Sequence, residues 1–112
     1  MTCIFCQILA HRLPADILYE DEDLAVIQDI NPAAPIHVLI VPKKHIDSLN
    51  SIDAESVETF TKMVLMAKKM ADKLGTKTGY RLMVNCGREA GQVIFHLHMH
   101  LMGGFGKEVG KK

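Results

Sequence analysis

The chain has 112 residues, 48% apolar and 23% charged, which fits one folded domain able to bury a core without staples and excludes a disordered or low-complexity polymer. Thirteen basic residues cancel thirteen acidic ones, so no net field is available to hold nucleic acid through counterion release. The longest apolar runs are only a few residues, too short to span a membrane, and MTCIF lacks the charged leader and apolar stretch of a signal peptide, so a cytoplasmic protein is expected.

Cys3, Cys6 and Cys86 are an odd set that suits thiols or metal ligands in a reducing compartment better than a disulfide framework. In chain order, CIFCQILAH spaces Ile4, Phe5, Ile8 and Leu9 as on a helix and predicts one or two turns before Pro14. ADILYEDEDLAVIQDI holds two brief runs, Ile17 to Tyr19 and Leu24 to Ile27, around an acidic turn, which predicts a β-hairpin. NPAAPIH is a loop by its two prolines, and HVLIVPKKH is a buried strand opened by His37, with His45 just beyond its end. From Asp53 to Gly75 the apolar residues Val57, Phe60, Val64, Ala67, Ala71 and Leu74 step by three and four. That spacing predicts a long helix, with Asp53 as N-cap, Gly75 as its stop, and Met63, Met66 and Met70 chiefly as core packing, a smaller share going to a subunit contact. YRLMVN then reads as a strand, CGREAGQ as a loop and VIFHLHMHLM as a last strand ending at Gly103 and Gly104. The sum is an α+β fold, an antiparallel sheet of about five strands with one long and one short helix.

On a strand, His96, His98 and His100 share one face, while Phe95, Leu97, Met99 and Leu101 line the other. Repeated imidazoles are costly to bury, and a solvated edge strand draws on Thr, Lys and Glu instead. Two chemical readings follow. One is a metal site completed from elsewhere in the chain; the other is nucleophilic catalysis, with one imidazole attacking phosphorus while its neighbours hold the phosphoryl oxygens. The second asks for an anion cradle nearby, and the preceding loop offers Gly87 and Gly91 with Asn85 and Gln92 as neutral donors. Asp29, just before Asn31 and Pro32, reads on its own as an Asx-turn residue. Cys3 and Cys6 have the spacing at which two thiolates share one zinc, but two further ligands are needed. A redox pair lacks the preceding strand, and idle thiols stay open as a third use.

FHLHMHLM resembles the His-φ-His-φ-His-φ-φ signature, φ being apolar, of the histidine triad (HIT) superfamily. IQDINPAAPIHVLIVPKKH is similar to the family's ribose-binding and strand segment, GYRLMVNCGREAGQ to the loop entering the triad, and CIFCQI to its start, so the likeness runs along nearly the whole chain as a single HIT domain, 1–112. The HLMGG ending resembles the Hint-like branch of bacterial type. The resemblance implies a nucleotide hydrolase or transferase that cleaves purine nucleoside phosphoramidates or related conjugates at the α-phosphorus through a covalent nucleotidyl-histidine. His98 is then the nucleophile, His100 holds the phosphate oxygens, His37 supports His98 and His96 braces the strand. Asp29 takes the ribose hydroxyls with Ile30 beside it, Ile4, Phe5, Ile8 and Ile27 surround the base, and Asn85, Gly91, Gln92 and Val93 fall on the phosphate loop. It also implies a structural zinc on Cys3, Cys6, His45 and His96 and a homodimer, while the balanced charge and short apolar runs lead us to expect no nucleic-acid or membrane partner.

Val93 departs from the pattern, since many relatives carry Ser or Thr there, and the polar end FGKEVGKK lacks the aromatic tail of some Hint proteins. The competing functions are a dinucleoside polyphosphate hydrolase, a nucleotide-binding module with little catalysis, and a metalloenzyme using all three triad histidines.

Overall fold

A computed structural model describes residues 3–105; Met1, Thr2 and residues 106–112, nearly all of the polar end noted above, lie outside the described residues. The expected hairpin forms from β1 (Ile17–Glu20) and β2 (Leu24–Gln28). Its acidic turn is closed by Asp21, whose Oδ1 accepts the N–H groups of Asp23 and Leu24 at 2.7 and 2.8 Å. The β-branched run after the two prolines becomes β3 (Ile36–Pro42), which pairs with β2. β4 (Tyr80–Met83) and β5 (Met99–Gly103) complete a five-stranded sheet in the order β1-β2-β3-β5-β4, antiparallel throughout. The last strand among the described residues therefore lies inside the sheet, between β3 and β4.

Strand alternation gives the sheet two apolar faces. One carries Leu24, Val26, Val38, Ile40, Met99 and Leu101 and is covered by the long helix α2 (Val57–Lys73) through Met63, Met66, Ala67, Met70 and Ala71. The other carries Ile27, Leu39 and Val41 and is covered by the short helix α1 (Ile4–Leu9) through Phe5 and Ile8. Burying a side chain of this size contributes ~1.5–3 kcal/mol, so both helices are held chiefly by this packing. The methionines of α2 are core, as expected.

Three expectations need correction. First, α2 starts at Val57, because Asp53 closes a turn of its own: its Oδ1 accepts the N–H groups of Glu55 and Ser56, each at 3.0 Å. Second, the buried stripe of α2 is rotated toward the methionines, which leaves Val57 and Val64 exposed. The helix stop is as expected: Gly75 has φ +80°, its N–H meets the Asp72 carbonyl, and the Thr76 N–H meets that of Ala71, a Schellman closure. Third, the final strand begins at Met99 rather than Val93. Phe95 is half-exposed with the Arg88 guanidinium over its ring, and the Leu97 N–H is taken by the Ile46 carbonyl outside the ladder. The side chains still alternate in facing, with Leu97 on the α2 side and His96 and His98 opposite, all three buried. Among the described residues no helix is long and apolar enough to cross a membrane.

Candidate active site and metal centre

His98 and His100 project from the α1 face of the sheet, their ring centroids 5.2 Å apart. His98 is nearly buried, and its Nδ1 lies 2.8 Å from the His96 carbonyl oxygen. A carbonyl only accepts, so Nδ1 carries the proton and Nε2 keeps its lone pair. Phe5 of α1 packs edge-on against the same ring, at 5.1 Å between centroids and 76° between planes. That contact limits rotation of the imidazole and keeps water off one side of it. Burial pushes the pKa of His98 below the usual imidazole range, opposed only in part by the His96 carbonyl and Asp29.

His37, in β3, meets His100, in β5, because Leu39 stands opposite His100 and alternation brings His37 to the same face. The Ala33 N–H donates to His37 Nδ1 at 2.9 Å, so the His37 proton is on Nε2. That N–H faces His100 Nδ1 at 2.9 Å, which places the remaining His100 proton on Nε2. A relay of donors results, from the Ala33 backbone through His37 and His100 to an outward Nε2–H. Burial first, then His98 and His37, push the pKa of His100 down to about 4, so at neutral pH it is an uncharged donor. Asp29 forms its Asx turn with one oxygen, Oδ1 accepting the Asn31 N–H at 2.8 Å, while Oδ2 lies 3.3 Å from His37 Nε2.

The loop before the triad is built around Gly87 and Gly91, with φ of +94° and +92°. Gln92 is buried within this loop: its Oε1 accepts the Gly87 N–H, and its Nε2 donates to the carbonyls of Asp47 and Ile94. Both of its N–H donors are thus committed to holding the loop. Asn85 stands beside Gly91, where an added Cβ would lie 3.6 Å from its Nδ2. Val93 and Ile30 are 85% and 89% exposed, and Ile4 is half-exposed, whereas Phe5, Ile8 and Ile27 are buried under the site.

Cys3, Cys6, His45 and His96 converge, one ligand atom of each lying within 4.8 Å of all the others. His96 Nε2 donates to the Pro42 carbonyl at 2.8 Å, and His45 Nε2 donates to Asp47 Oδ1 at 2.8 Å. Both rings therefore turn a bare Nδ1 toward the sulfurs: His96 lies 3.4 Å from Cys3 Sγ and 3.6 Å from Cys6 Sγ, and His45 lies 3.2 Å from Cys6 Sγ. A tetrahedral ion with sulfur at ~2.3 Å and nitrogen at ~2.0 Å sets neighbouring S and N ligands roughly 3.5 Å apart, so the set fits a metal. Burial and the neighbouring Cys3 push the Cys6 thiol up to about 11, a cost that a bound cation would reverse. Asp29, His37 and His100 also converge, but His37 accepts from Ala33 through Nδ1 and so has no lone pair on Nε2 to give an ion. That group is a hydrogen-bond relay.

The structure thus joins His37, His98, His100 and Asp29 in one site, and Cys3, Cys6, His45 and His96 in a second that shares the His96 backbone with the first. Sequence reasoning missed Asp47, whose position two residues after His45 was a usable signal. It also missed the Pro42 carbonyl and the Ala33 N–H, which as backbone groups leave no trace in residue type.

The HIT domain family model matches residues 10–107. The chain belongs to the HIT family. It is 44% identical to Protein HitA of Neisseria gonorrhoeae over 90% of this chain and 94% of that protein. It is 40% identical to the purine nucleoside phosphoramidase of Escherichia coli K12 over 90% and 86%. Among solved structures, a HIT family hydrolase from Legionella pneumophila Philadelphia 1 superposes with a TM-score of 0.90 at 39% identity, over 92% of this chain and 93% of that one. A Zn-bound histidine triad family protein from Mycobacterium smegmatis superposes with a TM-score of 0.78 at 32% identity, over 92% and 75%. The HIT signature is FHLHMHLM, and its three histidines divide between the two sites.

Proposed function

We propose that this HIT-family hydrolase cleaves purine nucleoside 5′-phosphoramidates and related nucleotidyl conjugates at the α-phosphorus, using His98 as nucleophile. The observation that carries this reading is the His98 Nδ1 bond to the His96 carbonyl, which leaves a lone pair on a nearly buried, uncharged Nε2. In the first step Nε2 forms a bond to phosphorus while the bond to the leaving nitrogen breaks, and that nitrogen departs with a proton from solvent as the amine. In the second, water attacks phosphorus, the P–Nε2 bond breaks, and a nucleoside monophosphate is released. His100 donates its Nε2–H to a phosphoryl oxygen in both steps. Asp29 is placed to accept the ribose hydroxyls, and the phosphoramidase of E. coli supports the substrate class.

Zinc is the metal this reading assigns to Cys3, Cys6, His45 and His96, supported by the donor set and by the Zn-bound relative from M. smegmatis. Four protein ligands leave no open position, so the ion's contribution is to brace the fold. The same reading takes 1–112 as one domain acting in the cytoplasm as a homodimer. Exposed Val64 and Leu65 on α2, with Leu82 and Met83 on the edge strand β4, supply apolar surface for a second copy.

Purified protein given adenosine 5′-phosphoramidate is expected to release AMP, and acid-quenched protein is expected to carry the mass of one adenylyl group. Absence of both turnover and adduct overturns the reading in favour of a binding module, and preference for a dinucleoside polyphosphate moves it to that class. The pH profile is a second check. A lowered pKa means that the neutral imidazole survives to more acidic pH, so kcat/KM is expected to stay level from pH 8 through 6.5 and to fall only below that. An acid limb centred at or above ~6.5, the ordinary imidazole value, contradicts the buried, neutral pair.

A further inference from the structure

His37 Nε2 has one proton and two acceptors. His100 Nδ1 lies 2.9 Å away and Asp29 Oδ2 lies 3.3 Å away, with Asp29 Oδ2 also 4.0 Å from His100 Nδ1. Asp29 cannot satisfy itself fully by local means, because its turn uses only Oδ1. The proton is therefore contested. Drawn toward the carboxylate, it leaves His100 Nδ1 less well paired, and the relay from the Ala33 N–H to the outward Nε2–H is weakened. Given wholly to His100, it polarises that ring, and each bond in such a chain strengthens the next.

We propose that Asp29 is a positioning residue that links recognition of the sugar to the strength of the phosphate donor. This rests on the reading above, in which ribose hydroxyls donate to the Asp29 carboxylate. Two hydroxyl donors satisfy Oδ2 and remove its claim on His37 Nε2–H, which then commits to His100. His100 in turn presents a more polarised Nε2–H to the phosphoryl oxygen. A substrate without those hydroxyls leaves the contest in place. The ribose thus raises the rate of the chemical step in addition to contributing to affinity, so remote binding is used where charge develops.

The test compares adenosine 5′-phosphoramidate with its 2′,3′-dideoxy analogue in the wild-type enzyme and in Asp29→Asn. Asparagine keeps the Asx turn through its own Oδ1 and replaces a charged competitor with a neutral amide. In wild type, kcat is expected to be about tenfold higher for the ribose substrate, the loss of one well-placed donor being worth ~10-fold or more in such chemistry. In Asp29→Asn the two kcat values are expected to converge within about twofold, with the dideoxy substrate turned over faster than by wild type. A difference confined to KM in wild type overturns the proposal, as does an Asp29→Asn loss that is equal for both substrates. Histidine ¹⁵N–¹H spectra supply a readout independent of turnover: AMP is expected to move the His37 Nε2–H resonance downfield, and 2′,3′-dideoxy-AMP to leave it. Equal shifts from the two nucleotides overturn the proposal. No turnover of the ribose substrate by wild type overturns the function itself, a different outcome from equal kcat values.

Discussion

Replacing His98 with alanine is expected to lower turnover of a nucleoside phosphoramidate by on the order of 10⁴-fold or more, while nucleotide affinity changes by less than about tenfold. The size of the loss follows from the role. Removal of the attacking atom removes the covalent route altogether, and what survives is whatever the relay and the loop achieve with water alone. Affinity survives because the base and sugar contacts assigned to Ile8, Ile27 and Asp29 come from α1, β2 and the loop after β2, none of which contains His98. Single-turnover kinetics and titration with AMP measure the two halves separately, and mass spectrometry should find no adenylyl adduct. Activity within tenfold of wild type would remove His98 from the chemistry. Loss of both turnover and AMP binding, with native circular dichroism retained, would mean that the side chain shapes the pocket and is not the nucleophile.

The second large effect belongs to the metal centre. Protein purified without a polyhistidine tag is expected to hold about one zinc per chain, and the double replacement Cys3→Ser, Cys6→Ser to hold none. An ion present at about 1,000 times its dissociation constant contributes ~4 kcal/mol to the folded state. For a chain of this size the loss lowers the melting temperature by roughly 15 °C. The effect has a clear path through the structure. Cys3 caps α1 by accepting the Cys6 N–H at 3.3 Å, α1 carries Phe5 and Ile8 onto the sheet, and Phe5 packs against the rings of both His96 and His98. Loosening this cluster therefore loosens the wall behind His98. Unchanged melting and no bound zinc in the parent protein would leave the four residues as a hydrogen-bonded cluster only.

Much of this arrangement was legible in the chain itself. Hairpin, buried strand and long helix follow from apolar spacing and turn residues, and Gly75 marks the helix stop because only a left-handed residue closes that carbonyl pattern at low cost. Alternation assigned His96, His98 and His100 to one side, which held even where the ladder did not. The limits were equally physical. Val57 and Val64 fit a helical stripe as well as the methionines do, and only contact with the sheet decides which stripe is buried. Phe95 looked like core by alternation, but the segment bends away before β5 and presents it to Arg88. Gln92 read as a donor to phosphate from its type and place, whereas its carbonyl and amide are spent on Gly87, Asp47 and Ile94. Proton positions on four of the five site histidines were invisible, because those of His37, His96 and His98 are fixed by backbone atoms and that of His100 by a partner distant in sequence; only His45, held by Asp47 two residues on, left a trace.

The interior position of β5 has a consequence for biosynthesis. Cys3 and Cys6 precede their partner by a long stretch of chain, and Cys3 must wait for His96, 93 residues later, before the two meet. Likewise β3 can pair early with β2 but gains its second neighbour only when β5 is made, since Ile36 pairs with Gly103. Contacts of such long range raise the contact order and slow folding. His98 and the full set of Cys3, Cys6, His45 and His96 therefore come together only once β5 has been made and has taken its place between β3 and β4.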